Sequence, residues 1–176
     1  MGESLDTAGR GSAGHGMAGQ HKGASAQKDE QMNTTKIQIR GLTPLLMHSG
    51  RLADPLDPAT IELAKLTKKR NKTHDDHIAV SKCEWFGGLY LDEKGKPCLP
   101  GEVIESCLVD GAKKFKLGKV AKGGFIVEGN FALVYDGPKD AEKLWAHGGF
   151  LKRAGVRVTQ SRVMRSRPIF PQWSCS

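Results

Sequence analysis

Eleven lysine and arginine side chains fall in two segments that contain no acid. Lys113, Lys114, Lys116, Lys119 and Lys122 lie between Gly111 and Gly124; Lys152, Arg153, Arg157, Arg162, Arg165 and Arg167 follow further on. Ammonium groups beside glycines can crowd onto an extended phosphate backbone, which binds by displacing counterions. The planar guanidinium adds a fork that grips phosphate in two places or stacks on a base. Phe150, Phe170 and Trp173 are aromatics near the second segment that could stack, as single-strand binders require. Each segment also has a plain structural reading, the first as a solvated helix end with a flexible connector, the second as a charged edge strand that resists aggregation.

Other candidate chemistries are poorer. His74 and His77, three apart with Asp75 and Asp76 between them, could share a helix face for a metal, but acids in a first helical turn are expected from capping alone. No third histidine or cysteine has ligand spacing, so no metal or other cofactor is assigned. Ser49 beside His48, with Asp54 and Asp57 following, lacks any G-x-S-x-G, P-loop or H-E-x-x-H pattern. We therefore expect a binding protein with no catalytic residues.

The elements that must position these cations can be read from turn and cap signals. Lys36 to Arg40 alternates as a strand. Asp57-Pro58 opens a helix to about Arg70, with Ile61, Ala64 and Leu63 or Leu66 inward. Thr73 with Asp76 resembles a capping box for a second helix to about Phe86, stopped by Gly87-Gly88. Leu89 to Leu91 and Pro97 to Leu99 read as strands around the turn Glu93-Lys94-Gly95. Pro100-Gly101 introduces a third helix with the apolar stripe Val103, Ile104, Cys107, Leu108, Gly111 and Phe115. Phe125 to Val127, Phe131 to Tyr135 and one strand from Val156 to about Met164 complete the pattern, with a short helix near Asp140 to Trp145. In that last strand Arg157 and Thr159 take one face, Val156 and Val158 the other. The order implies an α+β fold: an antiparallel sheet with helices on one face and a ferredoxin-like, RNA-recognition-type core.

Composition sets the frame for partners. The chain has 176 residues and a net charge of +8. Residues 1 to 34 carry three basic and four acidic side chains, so residues 35 to 176 carry +9, enough to attract polyanions. Those first 34 residues, with seven glycines and few large apolar side chains, read as a disordered tail ahead of one α+β domain. Met32, just before the first strand, reads as an alternative start. Cys83, Cys98, Cys107 and Cys175 match no CxxC or disulfide framework and read as free thiols of a reducing, cytoplasmic compartment. No apolar run is long enough for a membrane span, and the N-terminus lacks a signal-peptide core.

Three stretches carry a resemblance. Gly41 to His48, Gly87 to Asp92 and Arg165 to Phe170 resemble uncharacterised proteins of bacteriophages and prophages, over about residues 36 to 173. That likeness implies a bacterial host cytoplasm, and a chain that stops short of its relatives at Pro171 to Ser176. A sheet edge left unpaired there would invite self-association into a homo-oligomer. Gly95 to Gly101 with the following helix is similar to a segment of the RAMP proteins, the CRISPR effector backbones that bind guide RNA. Glu102 stands where their pattern has serine, and their C-terminal glycine-rich loop is missing. Together these features lead us to expect a phage or prophage protein that binds single-stranded DNA or RNA. The alternative is a phage structural or assembly protein whose basic faces meet acidic protein partners.

Overall fold

The computed structural model describes residues 33 to 176, so the tail expected before Thr35 and the start at Met32 fall outside the described residues, apart from Asn33 and Thr34. In chain order come β1 (Ile39–Arg40), β2 (Leu45–Leu46), a 3-10 turn (Gly50–Ala53), α1 (Pro58–Lys68) and α2 (His74–Gly88). Next are β3 (Cys98–Pro100), α3 (Gly101–Lys113), α4 (Gly118–Gly124), β4 (Asn130–Ala132) and α5 (Ala141–His147). A long hairpin, β5 (Leu151–Val158) and β6 (Ser161–Phe170), leads to β7 (Ser174–Cys175). Every ladder is antiparallel, and the fold is α+β.

Side-chain caps start three of the helices. The Asp57 carboxylate accepts from the Ala59 amide at 2.8 Å, and Asp140 accepts from Lys143 at 3.0 Å. At α2 the box is reciprocal: Thr73 Oγ1 accepts from the Asp76 amide, and Asp76 Oδ2 accepts from the Thr73 amide at 3.0 Å. The Lys69 ammonium, then the Thr73 amide, hold the Asp76 carboxyl down at about 2. A depressed carboxylate contributes stability that is full above its ordinary value of 3.8 and disappears as pH falls toward 2. In Asp76→Asn this acid-sensitive component is expected to vanish, which a comparison of thermal midpoints between pH 5 and pH 2 checks.

The first strand segment runs antiparallel along the last. Ile39 lies opposite Cys175 and Leu45 opposite Phe170, while the Gly41 amide donates to the Trp173 carbonyl at 3.0 Å. A Cβ at Gly41 would overlap the Trp173 indole, whose Nε1 donates to the Thr43 carbonyl, so glycine is needed for this approach. On its other edge Ser174 exchanges two backbone hydrogen bonds with Val134, at 2.8 and 2.9 Å, beyond which β4 pairs with β3. The last strand therefore lies between the first and the Val134 segment. A ferredoxin-like order would instead put the first strand inside one four-stranded sheet; here the strands are shared among three small sheets.

Several local expectations change. The run read as one strand from Val156 is a hairpin, turning at Thr159-Gln160 with Thr159 at φ +55°, a conformation that β-branched residues avoid. α2 does end at Gly87-Gly88, two residues beyond Phe86, with both glycines buried in its last turn where Leu52 and Pro168 pack on them. Ile61 and Ala64 of α1 are exposed, and only Leu63 and Leu66 turn partly inward, since α1 packs on α2 and not on the sheet. Phe125 to Val127 is extended but unpaired, and Leu91 alone, of the run from Leu89, bridges to Pro97. The core gathers Trp85 of α2 and Leu89 just after it with Tyr135, Leu144, Phe150 and Phe170. All four cysteines are unpaired, and burial raises the thiol pKa of Cys83, Cys98 and Cys175.

Candidate nucleic-acid interface

The lysine segment is a helical hairpin and not a helix fraying into a loop. After α3 the chain turns through Lys114 to Lys116, and the Leu117 amide reaches back to the Ala112 carbonyl at 3.0 Å while the Lys116 amide reaches Lys113 at 3.0 Å. This is the Schellman bonding pattern, which places one residue in the left-handed region, usually glycine. Here that residue is Lys116, at φ +62°. Lys116→Gly should therefore stabilise the fold, by about 1 kcal/mol, while removing a cation from the surface. Chemical denaturation checks the gain.

Between α3 and α4 lies an open groove of about 670 Å³, lined by Lys113, Lys116, Lys119 and Lys122 with Glu105 and Asp110. Lys114 is not part of this lining. The segment is not free of acids in space, because Asp110, one turn upstream, pairs with Lys113 at 2.7 Å. That pair is exposed on both sides and holds Lys113 only loosely. Glu105 is partly occupied by the Val127 amide, at 3.3 Å. Lys116, Lys119 and Lys122 make no ion pair among the described residues.

The aromatics beside these lysines differ from those expected. Phe150 and Phe170 are buried, with Phe170 packed edge-on to Tyr135 at 4.8 Å, and Trp173 is half-buried and bonded to Thr43. None of them presents a free face to a base. Phe115, read from helical spacing as the end of a buried stripe, instead lies past the end of α3 and is 77% exposed, between Lys114 and Lys116. Of that stripe only Ile104 is buried, with Val103 partly so; Cys107 and Leu108 are exposed. Phe125, also exposed, follows α4.

The arginine segment divides. Directly opposed residues of the hairpin share a face, and the register sets Lys152 opposite Arg167, Ala154 opposite Arg165, and Arg157 opposite Arg162. Alternation then places Lys152, Arg165 and Arg167 on one face and Arg153, Arg157 and Arg162 on the other. The six do not form one surface. Arg165 is also committed to the fold, since its guanidinium bonds the Glu84 carboxylate, which is 6% exposed and accepts the Ser166 amide at 2.9 Å as well. Arg157 and Arg162 stay together at the hairpin tip as opposed like charges with no acid paired to either among the described residues.

A further concavity was not foreseen from spacing. His48, Ser49 and Leu52 meet Glu84, Val156, Val158, Arg165 and Arg167 around about 350 Å³. These residues are far apart in sequence, and only the pairing of β2 with β6 and the packing of α2 bring them together.

No protein-family model, curated protein or solved structure matches the chain. The Pro100-Gly101 step has a packing reason: a Cβ at Gly101 would overlap the Val127 carbonyl, and the Gly101 amide donates to the Gly129 carbonyl at 2.8 Å. Among the described residues no helix is long and apolar enough to cross a membrane. His74 and His77 belong to no cluster of metal-ligating side chains among the described residues, and Asp76 is engaged by Thr73 and Lys69.

Proposed function

We propose that this chain is a non-catalytic binder of single-stranded DNA or RNA, working through the α3–α4 hairpin in the phage or prophage setting that its resemblance implies. The observation that carries the reading is Phe115, an exposed ring in the turn between Lys114 and Lys116, the latter one of the four lysines, with Lys113, Lys119 and Lys122, that line the groove. A base can stack on the ring while the ammonium groups follow the backbone, the combination that gives affinity without sequence readout. Lys116 in a left-handed position adds weight, because strain kept at a cationic turn is characteristic of functional sites. Arg157 and Arg162 at the hairpin tip provide a second cationic contact.

A second reading has its own support. Leu117, Val120 and Ile126 are exposed beside the same lysines, a mixture that also suits an acidic protein partner in an assembly. Titration of labelled single- and double-stranded oligonucleotides at two ionic strengths separates the two. Groove binding through four lysines is expected to show a log–log salt slope of about −3 on single strands. Affinity that does not change with salt, or ordered self-assembly with no oligonucleotide affinity, would reject the nucleic-acid reading.

A further inference from the structure

The concavity between the 3-10 turn and the β5–β6 hairpin is separate from the lysine groove, and its lining has two characters. Leu52, Leu63, Val156 and Val158 give its lining aliphatic surface, and His48, Ser49, Arg165 and Arg167 give it polar and cationic groups. Arg167 makes no ion pair among the described residues. Arg165 gives part of its guanidinium to Glu84 and keeps its side chain 41% exposed, so donors remain for a ligand. The one carboxylate in the lining, Glu84, is already occupied by Arg165 and the Ser166 amide, and it acts to hold the guanidinium in place. Arg51, on the neighbouring turn, faces away to Asp57 at 2.9 Å. The Tyr90 hydroxyl donates to the His48 carbonyl at 3.2 Å and anchors the backbone that presents the imidazole.

We infer that this concavity binds a phosphate ester of nucleotide size, with the phosphate on Arg167, Arg165 and His48 and the ring against the aliphatic surface. Its volume of about 350 Å³ is within the range of small-molecule sites and larger than a bare phosphate fills. The electrostatics agree. Burial, then Arg167, then Arg165 keep His48 below the ordinary imidazole pKa, as expected where cations converge without their anion. An arriving phosphate reverses the sign of that field. The charged groups that line the concavity together with His48 are Arg165 and Arg167 from β6 and Glu84 from α2, and Arg167 and Arg165 are the ones that act on the imidazole.

The inference does not rest on the lysine groove. It is tested by calorimetry of the full chain with adenosine monophosphate, adenosine and inorganic phosphate, alongside proton NMR of His48. The monophosphate is expected to bind saturably and more tightly than either fragment, and to raise the His48 pKa. Arg167→Gln and His48→Gln should each weaken it by about tenfold, as loss of a charge-assisted hydrogen bond does, with circular dichroism showing both folded. A protein with Lys113, Lys116, Lys119 and Lys122 all changed to glutamine should bind it unchanged. An oligonucleotide carrying a 5′-phosphate, compared with its 5′-hydroxyl form, tells a strand end from a free nucleotide, and either source upholds the site. Failure of the monophosphate to saturate, equal affinity for inorganic phosphate, or indifference of both folded variants overturns it.

Discussion

Changing Lys113, Lys116, Lys119 and Lys122 to glutamine is expected to lower single-strand affinity by roughly two orders of magnitude at physiological salt. The size follows from counterion release: four neutralised phosphates, at about 0.7 each, give an affinity that varies as nearly the third power of salt concentration. Removing the cations removes that dependence, so the salt slope should flatten by about 3 together with the loss of affinity. Phe115→Ala probes the other half of the contact. It should cost about 1 to 3 kcal/mol of binding, and because a ring releases no counterions it should leave the slope unchanged. Fluorescence anisotropy on both variants, across several salt concentrations, reads affinity and slope together. A protein partner would give a different pattern, in which loss of Leu117 or Val120 hurts more than loss of Phe115.

What could be read in the sequence was local. Asp57, Thr73 and Asp140 announce their helices because a cap is a contact between residues two or three apart, and such contacts survive any tertiary setting. The turn at Gly95 was legible for the same reason, with the Asp92 carboxylate accepting the Lys94 and Lys96 amides. The hairpin between β5 and β6 was not. Its turn uses Thr159 where glycine or asparagine would signal it, so eight cross-strand pairs follow from a conformation that the residue types argue against. Missing that turn had a consequence for the site, because alternation along one strand would part Arg157 from Arg162, whereas the hairpin register sets them opposite each other on one face. Phe115 was misplaced for a related reason: the helical period was extended two residues past Lys113, where α3 ends ahead of the left-handed Lys116. Glu84 carries no signal at all in the sequence, since its importance comes from meeting Arg165 and Ser166 more than 80 residues away.

That dependence of the site on distant packing is sharpest at Trp85. Its side chain is fully buried, edge-on to Phe86 at 5.0 Å and to Trp145 at 5.6 Å, and its Nε1 donates to the Phe150 carbonyl at 2.9 Å. Trp85→Ala is expected to cost about 3 to 5 kcal/mol, through lost transfer energy and the cavity left behind. Against a net stability of about 5 to 15 kcal/mol for a domain this size, that is about a third to a half of a mid-range value and enough to unfold a domain at the low end. Trp85→Phe should cost much less. The Phe150 carbonyl also accepts the Ile169 amide, at 2.9 Å, so losing the indole donor does not orphan a buried acceptor. Urea denaturation of the two variants thus separates packing from hydrogen bonding, and a phenylalanine variant as unstable as the alanine one would contradict this division. The result bears on function because Trp85 adjoins Glu84 on α2, and Phe150 opens the hairpin that carries Arg165 and Arg167. Where α2 loosens from the hairpin, Glu84 no longer holds Arg165 in the concavity, whereas the α3–α4 lysines sit on a different pair of packed helices.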